Sequence, residues 1–331
     1  MVFLRVGPEA KDVFGAARRI ESYIRRTPLE RCFVLEEEVG CGPVYLKLEN
    51  QQRTRSFKLR GALNRVLALS KEERRRGIVT ASSGNHGQGV AMAAALAGVK
   101  ATVVVPEVTP AVKIREARRF GAEVIRWGAD FDAAEEKAWS LVRELGGTFV
   151  HPCIDPEVMA GQGTVGLEVL NELPDVATLV VPVGGGGLIG GIGVLVKAVR
   201  PDVRIVGVQA EASPALYESL RAGRLVRCPV GETLAEGLAG NAYEKTFPLL
   251  CKVVDEMVLV SEAEIARAMA WLVLKAGQVV EGSGAVGVAA LLFGKVSLAA
   301  GPTVCVLSGG NVDAATLRRV VAEEGAAVAA E

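Results

Sequence analysis

Gly77-Ile78-Val79-Thr80-Ala81-Ser82-Ser83-Gly84-Asn85-His86-Gly87 is the stretch that decides the fold. A run rich in β-branched residues reads as a strand, a polar turn follows, and the Ala-rich segment from Gly87 to Ala97 reads as a helix stopped at Gly98. The same order then repeats. Val99 to Val105 is strand-like and ends at Pro106, and Thr109 to Phe120 is helical and ends at Gly121. Ala122 to Arg126 is again a strand, and Asp130 to Leu145 is a helix closed by Gly146 before Thr148-Phe149-Val150. Short apolar strands without polar alternation belong to a parallel sheet covered on both faces. Glycine after each helix takes the left-handed position that other residues avoid. This is α/β winding.

A second round opens near Pro156, with a helix to Leu173, a strand from Ala177 to Val183 and a helix from Leu188 to Val199. Val203 to Val208 and Thr303 to Leu307 read as further strands, with helices at Glu262 to Lys275 and Gly284 to Leu292 between them. Residues 1–60 hold a helix-like Lys11 to Ile24 and a strand-like Val44 to Leu48 but no such rhythm, so they are expected to complete the later sheet. The expected architecture is two α/β domains, each an open, mostly parallel twisted sheet flanked by helices. A small domain, 77–150, is inserted into a large one made of 1–76 and 151–331. The Ala-rich C-terminal tail is expected to fray.

Half of the 331 residues are apolar while aromatics are only 5%, so the core must be built from Val, Leu, Ile and Ala. Lys+Arg and Asp+Glu are both 38, a balance that gives no support to binding nucleic acid or an anionic membrane. The basic run Glu73-Arg74-Arg75-Arg76 reads as a solvated helix end whose cations match the dipole. Six cysteines, at 32, 41, 153, 228, 251 and 305, form no Cys-x-x-Cys pair, and with two histidines no zinc cluster is expected. Scattered thiols point to a reducing compartment. The N-terminus lacks a secretory pattern and no apolar run of membrane-spanning length is uninterrupted, so a soluble, cytoplasmic protein is expected.

The chemistry starts from Arg55-Ser56-Phe57-Lys58-Leu59-Arg60-Gly61. Lys58 stands at what reads as the opening turn of a helix, beside Phe57. An amine in such apolar company is poised to act as a free base and to condense with a carbonyl. Lys47 nearby has no better claim by spacing. Three turns far from it each follow a strand-like run and precede a helix-like one: Ser82 to His86, Gly184-Gly185-Gly186-Gly187-Leu188, and Ser308-Gly309-Gly310-Asn311. Four consecutive glycines exceed what a tight turn requires, and the helix start behind them favours a phosphate. The N–H groups of Ser82, Ser83, Gly84, Asn85 and His86 could hold a carboxylate, and Asn85 could bond a phenolic oxygen, with ordinary capping as the plain alternative. His86, a lone histidine in a turn, is more often structural than a general base. Ser308 can bond a ring nitrogen at a strand's C-terminal edge, although a cap accounts for it equally well. Gly185, Gly187 and Gly190 also spell G-x-G-x-x-G, with Glu211 about twenty residues on, the dinucleotide fingerprint of an NAD-dependent oxidoreductase. That reading leaves Lys58 unexplained. A catalytically idle binding protein on the same scaffold is the third possibility.

Lys47-Leu48-Glu49-Asn50, Ser56 to Ala62 and Ser83-Gly84-Asn85-His86-Gly87-Gln88-Gly89 together resemble the fold-type II pyridoxal-phosphate enzymes, whose fold is that of the tryptophan synthase β chain. The branch they most resemble is that of threonine/serine dehydratases and serine racemases. Gly161-Gln162-Gly163-Thr164, Pro182 to Leu188 and Ser308 to Asn311 extend the likeness over nearly the whole chain. The resemblance implies that Lys58 carries the cofactor as a Schiff base with Phe57 packed beside it. It also implies that Asn85 bonds the ring hydroxyl, that Gly184 to Leu188 cradle the phosphate, and that Ser308 faces the pyridine nitrogen. Ser82 through His86 correspond to the carboxylate-binding loop, and Ser83 matches the serine that racemases place opposite the lysine. Arg55 replaces the glycine usual in Thr-Gly-Ser-Phe-Lys, and Cys153 stands where relatives more often have Phe or Asn. Gln209 and Ala215 occupy positions where metal-activated racemases are acidic, so no metal is expected.

What the resemblance implies is deamination of L-threonine or L-serine by α,β-elimination, giving 2-oxobutanoate or pyruvate and ammonia. The Lys58 amine would remove the Cα proton, and a neutral serine at the ring nitrogen would favour prompt loss of the β-hydroxyl, with the cofactor phosphate as its proton donor. Serine racemisation through Ser83 and threo-3-hydroxyaspartate ammonia-lyase chemistry are the alternatives. A homodimer or homotetramer is expected.

Overall fold

The computed structural model describes every residue except 1–6, 41, 299 and 331. Cys41 therefore lies outside the described residues. Two sheets organise the chain. The smaller is entirely parallel, in the order β5-β4-β3-β6, from β3 (Ile78–Ala81), β4 (Ala101–Val105), β5 (Glu123–Arg126) and β6 (Thr148–Phe149). The larger has the order β1-β2-β10-β7-β8-β9. Its strands are β1 (Leu29–Arg31), β2 (Val44–Lys47), β7 (Thr178–Pro182), β8 (Arg204–Ala210), β9 (Glu256–Val260) and β10 (Thr303–Val306). Only the edge pair β1–β2 is antiparallel. Every residue of β3, β7 and β10 is buried, because helices cover both faces, and that is why these strands read as apolar without alternation.

The small sheet is flanked by α5 (Asn85–Ala97), α6 (Ala111–Arg119) and α7 (Phe131–Leu145). Around the large sheet lie α1 (Ala10–Ile20), α2 (Phe33–Val39), α8 (Pro156–Glu172), α9 (Gly187–Val199) and α10 (Ala215–Ala222). The same sheet is also flanked by α11 (Phe247–Val253), α12 (Glu262–Leu274), α13 (Gly282–Leu292) and α14 (Ala314–Ala330). The connection from β2 to β3 contains α3 (Lys58–Leu67) and the short α4 (Lys71–Arg76). Ser70 and Glu73 cap α4 reciprocally, and its three arginines occupy the last turn. Asp155 caps α8 by accepting from Glu157 and Val158, with Pro156 at the first helical position.

α3 packs against helices that flank both sheets. Its Leu59, Ala62, Leu63 and Val66 share a buried cluster with Val90 and Ala94 of α5, Val103 of β4 and Val158 of α8. A large movement of α5 would open this cluster, so the start of α3 is held from two directions.

The C-terminal tail corrects an expectation. It does not fray but forms α14, with Val320 and Val328 fully buried in the core cluster that contains α12. Alanine has the highest helix propensity, and two valines with the right spacing supply the anchor. α10, α11 and β9 escape the sequence reading because each is only five to eight residues long.

Candidate active site

Three of the four turns singled out in the sequence leave one edge. β2, β10 and β7 are parallel neighbours. The segment from β2 to Lys58, the Ser308–Asn311 turn after β10 and the glycine turn after β7 therefore all lie at the strands' C-terminal ends, where open α/β sheets bind ligands. Phe57 N donates to Ser308 O at 3.1 Å, and Ser56 bridges to Gly309. Lys58 is thereby tied to the 308 turn. The fourth turn, Ser82 to His86, comes from the other sheet. α5 approaches α3 at Gly89, where a Cβ would sit 3.1 Å from the Lys58 carbonyl carbon. The Asn85 amide donates from Nδ2 to Glu281 Oε1 at 2.6 Å and accepts at Oδ1 from Asn311 Nδ2 at 2.7 Å. The four turns meet around one cleft.

Lys58 is half-buried as the first residue of α3, with Nζ 5.1 Å from the centroid of the Phe57 ring. Its amine has no hydrogen-bond or ion-pair partner among the described residues. Lys47 differs completely. It is fully buried, and its Nζ donates to Thr27 O and Glu168 Oε2, both at 2.6 Å. Glu168 also takes two bonds from the fully buried Arg60, at 2.6 and 2.9 Å, and Arg60 donates two more to Glu49 at 2.8 Å each. Burial opposes the Glu168 charge, but Arg60 and Lys47 outweigh it and hold the carboxyl below its ordinary range. This network lies directly behind Lys58 and fixes the first turn of α3.

The glycine turn fits an anion. The backbone N–H groups of Gly184 through Leu188 have no acceptor among the described residues, and they open the thirteen-residue α9. A Cβ at Gly185 would meet Tyr243 Cε2 at 2.6 Å and Cys153 Sγ at 2.8 Å, and Gly186 has φ 86°. Side chains would fill this cradle or strain it. The N–H groups of Ser83, Asn85, His86 and Gly87 at the start of α5 are likewise free among the described residues, which leaves a second anion position. A group carrying a phosphate, an aldehyde and a ring oxygen would find an anion cradle, a free amine and the Asn85 amide in one cleft.

Neither histidine is charged at neutral pH. His86 donates from Nε2 to Val150 O at 2.9 Å, which leaves Nδ1 bare, and burial plus the Lys58 charge lower its pKa to about 3. His151 accepts at Nδ1 from the amides of Cys153 and Ile154, and burial, Lys58 and Lys245 lower it to about 4. Ser308 is buried, and its hydroxyl donates to Ser283 O at 3.3 Å. Ser83 is half-buried, and its hydroxyl has no partner among the described residues.

Glu281 is the residue that the sequence reading misses. It is the N-cap residue of α13, yet its side chain turns away from the helix to meet Asn85. Burial pushes its pKa up to about 7, the Asn85 bond opposes that rise, and Glu236 adds to it while Lys113 and Lys58 oppose it. Lys113 on α6 and Glu236 are themselves paired at 2.6 Å. Val279-Val280-Glu281-Gly282-Ser283-Gly284 carries the same apolar-then-glycine signature as the other turns. It escapes notice because no strand precedes it. Tyr243, packed edge-on to His151 with ring centroids 5.1 Å apart, carries no sequence signal.

Residues 20–309 match the family of the pyridoxal-phosphate dependent enzymes. The chain is 48% identical over 312 residues to an L-threonine ammonia-lyase of Thermotoga maritima, a match covering 94% of this chain and 77% of that one. It superposes with a TM-score of 0.87 on the crystal structure of a threonine deaminase from T.th., 42% identical, over 92% of this chain and 99% of the other. On maize serine racemase, 33% identical, the TM-score is 0.90 over 97% and 99% of the two chains. The G-x-G-x-x-G spacing is thus not a dinucleotide fingerprint. Gly190 serves helix packing, since a Cβ there would meet Met159 Cε at 2.7 Å. With a free amine and an anion cradle at one sheet edge and a donor amide brought to them from the other sheet, the chain belongs to the family of pyridoxal-phosphate dependent enzymes.

Proposed function

We propose that this enzyme deaminates L-threonine and L-serine by α,β-elimination, releasing ammonia with 2-oxobutanoate or pyruvate. The observation that carries the reading is the unpaired Lys58 amine at the sheet edge that also presents the free amides of Gly184 through Leu188. The identity to an L-threonine ammonia-lyase over nearly the whole chain supports this choice of substrate. Lys58, Phe57, Asn85, Gly184 to Leu188 and Ser308 would hold the cofactor. When bound, pyridoxal phosphate supplies an electron sink for the negative charge that develops at Cα.

The chain's own groups supply the rest. The free N–H groups of Ser83, Asn85, His86 and Gly87 bind and orient the substrate carboxylate with the positive end of α5 behind them. Lys58 Nζ takes the Cα proton. Burial and the Lys58 charge keep both neighbouring imidazoles neutral. His86 therefore orients the turn through Val150 rather than exchanging protons.

A second reading, serine racemisation, is favoured by the unpartnered Ser83 hydroxyl and by the likeness to maize serine racemase. Release of keto acid from L-threonine, L-serine and threo-3-hydroxyaspartate, assayed side by side with D-serine formation, decides the order. Ser83→Ala is expected to keep elimination and lose any D-serine production. Loss of both would contradict the division of roles. The two sheets also support residues 77–150 as a small domain inserted into a large one. No helix among the described residues is long and apolar enough to cross a membrane. A cytoplasmic homodimer or homotetramer is the corresponding proposal for location and assembly.

A further inference from the structure

We propose that Glu281 is a positioning residue of this site: from the opposite wall of the cleft it fixes which end of the Asn85 amide a bound cofactor meets. The argument starts from a chain of hydrogen bonds whose direction is forced. Thr54 O can only accept, so the Asn311 group 2.9 Å from it is Nδ2. The same Nδ2 donates to Asn85 Oδ1 at 2.7 Å, which turns the Asn85 Nδ2 toward Glu281 Oε1 at 2.6 Å. A carboxylate only accepts, so both ends of the relay agree on one orientation. One Nδ2 hydrogen of Asn85 is then left for a ligand acceptor.

The surroundings hold Glu281 to this task. Its backbone N donates to Gly309 O at 3.1 Å, and a Cβ at Gly309 would lie 2.3 Å from its Oε1 and 3.2 Å from Asn85 Nδ2. Gly309 is also the residue that bridges to Ser56, two positions before Lys58. Movement of the Glu281 carboxylate would therefore disturb the Asn85 amide and the Lys58 segment together. The charged groups facing it are Lys58 from α3, Lys113 from α6 and Glu236 from the loop before α11, with Asn85 its hydrogen-bond partner. Protonation of Glu281 replaces a charge-assisted bond to Asn85 by a neutral one and loosens the amide. Because its pKa is raised to about 7, this change falls near neutral pH.

The inference rests on Asn85 facing the cofactor, and the test separates the two. Holoenzyme loaded with pyridoxal phosphate is titrated while its visible absorption is recorded, and cofactor affinity is measured on the apoenzyme, for wild type, Glu281→Gln, Asn85→Ala and the double variant. Wild type is expected to show an inflection in the visible band between about pH 6 and 8 that Glu281→Gln lacks. Glu281→Gln is expected to weaken cofactor binding roughly 3- to 10-fold, and to have no further effect once Asn85 is Ala. Glutamine matches the protonated acid in shape and removes a buried charge, so folding is preserved. Glu281→Gln curves that superimpose on wild type, or a Glu281→Gln effect that persists in the Asn85→Ala background, would overturn the proposal. Asn85→Ala without effect on the band or the affinity would instead remove the cofactor-facing reading of Asn85, and the proposal with it.

Discussion

Two lysines eleven positions apart show how one chain uses the same side chain for opposite ends. Lys47 is enclosed at the end of β2, bonded to a carboxylate and a carbonyl and sharing Glu168 with Arg60. Lys58 opens α3 with its amine over an aromatic ring and no partner among the described residues. Burial with full pairing makes a charge part of the scaffold. Partial burial without a partner leaves an amine free for chemistry, and the first arrangement holds the second in place, because Arg60 follows Lys58 by two residues on the same helix.

The comparison is broken most severely by exchanging the roles. Lys58→Ala is expected to abolish turnover and the covalent visible band while leaving the melting temperature nearly unchanged. Lys47→Ala is expected to do the reverse, keeping the band but losing stability. Next in size, Arg60→Met leaves the buried Glu49 without its cation and Glu168 with Lys47 alone, and is expected to cost about 3–5 kcal/mol in urea unfolding. The Glu168 charge adds stability above its unfolded pKa, and this is lost as pH falls through its lower folded value. Wild type should therefore lose more stability than a Glu168→Gln variant on acidification.

Glu281 has the opposite sign. Its folded pKa is raised to about 7, so its favourable contribution is present below the unfolded value near 4.5 and is lost as pH rises through 7. Glu281→Gln is expected to raise stability by on the order of 1–3 kcal/mol at pH 8 and by nothing at pH 4. The smallest effect belongs to Arg55, which sits at φ 57°, a left-handed conformation that favours glycine. Arg55→Gly should relieve the left-handed strain and, after the entropy glycine adds to the unfolded chain, raise stability by up to about 1 kcal/mol in thermal melts. A clear loss would show that the Arg55 side chain makes contacts worth more than the strain.

Much of this is legible along the chain. The α/β rhythm from Gly77 can be read because parallel strands buried on both faces are uniformly apolar and their helices end in glycine. The four turns can be read because each breaks an apolar run with residues that free backbone amides. Lys47 and Lys58 cannot be told apart by spacing, since what separates them is Glu168 and Arg60, and Glu168 arrives from a helix more than a hundred residues away. Glu281 is hidden for a similar reason: its partner Asn85 lies 196 positions earlier, and no strand announces its turn. The tail misleads because an alanine-rich, charged segment resembles disorder until Val320 and Val328 find α12.

The most direct measurement is peptide mass spectrometry of the holoenzyme after borohydride reduction. The account predicts a single pyridoxyl adduct on the peptide carrying Lys58 and none on Lys47. An adduct on another lysine, or none at all, would contradict it.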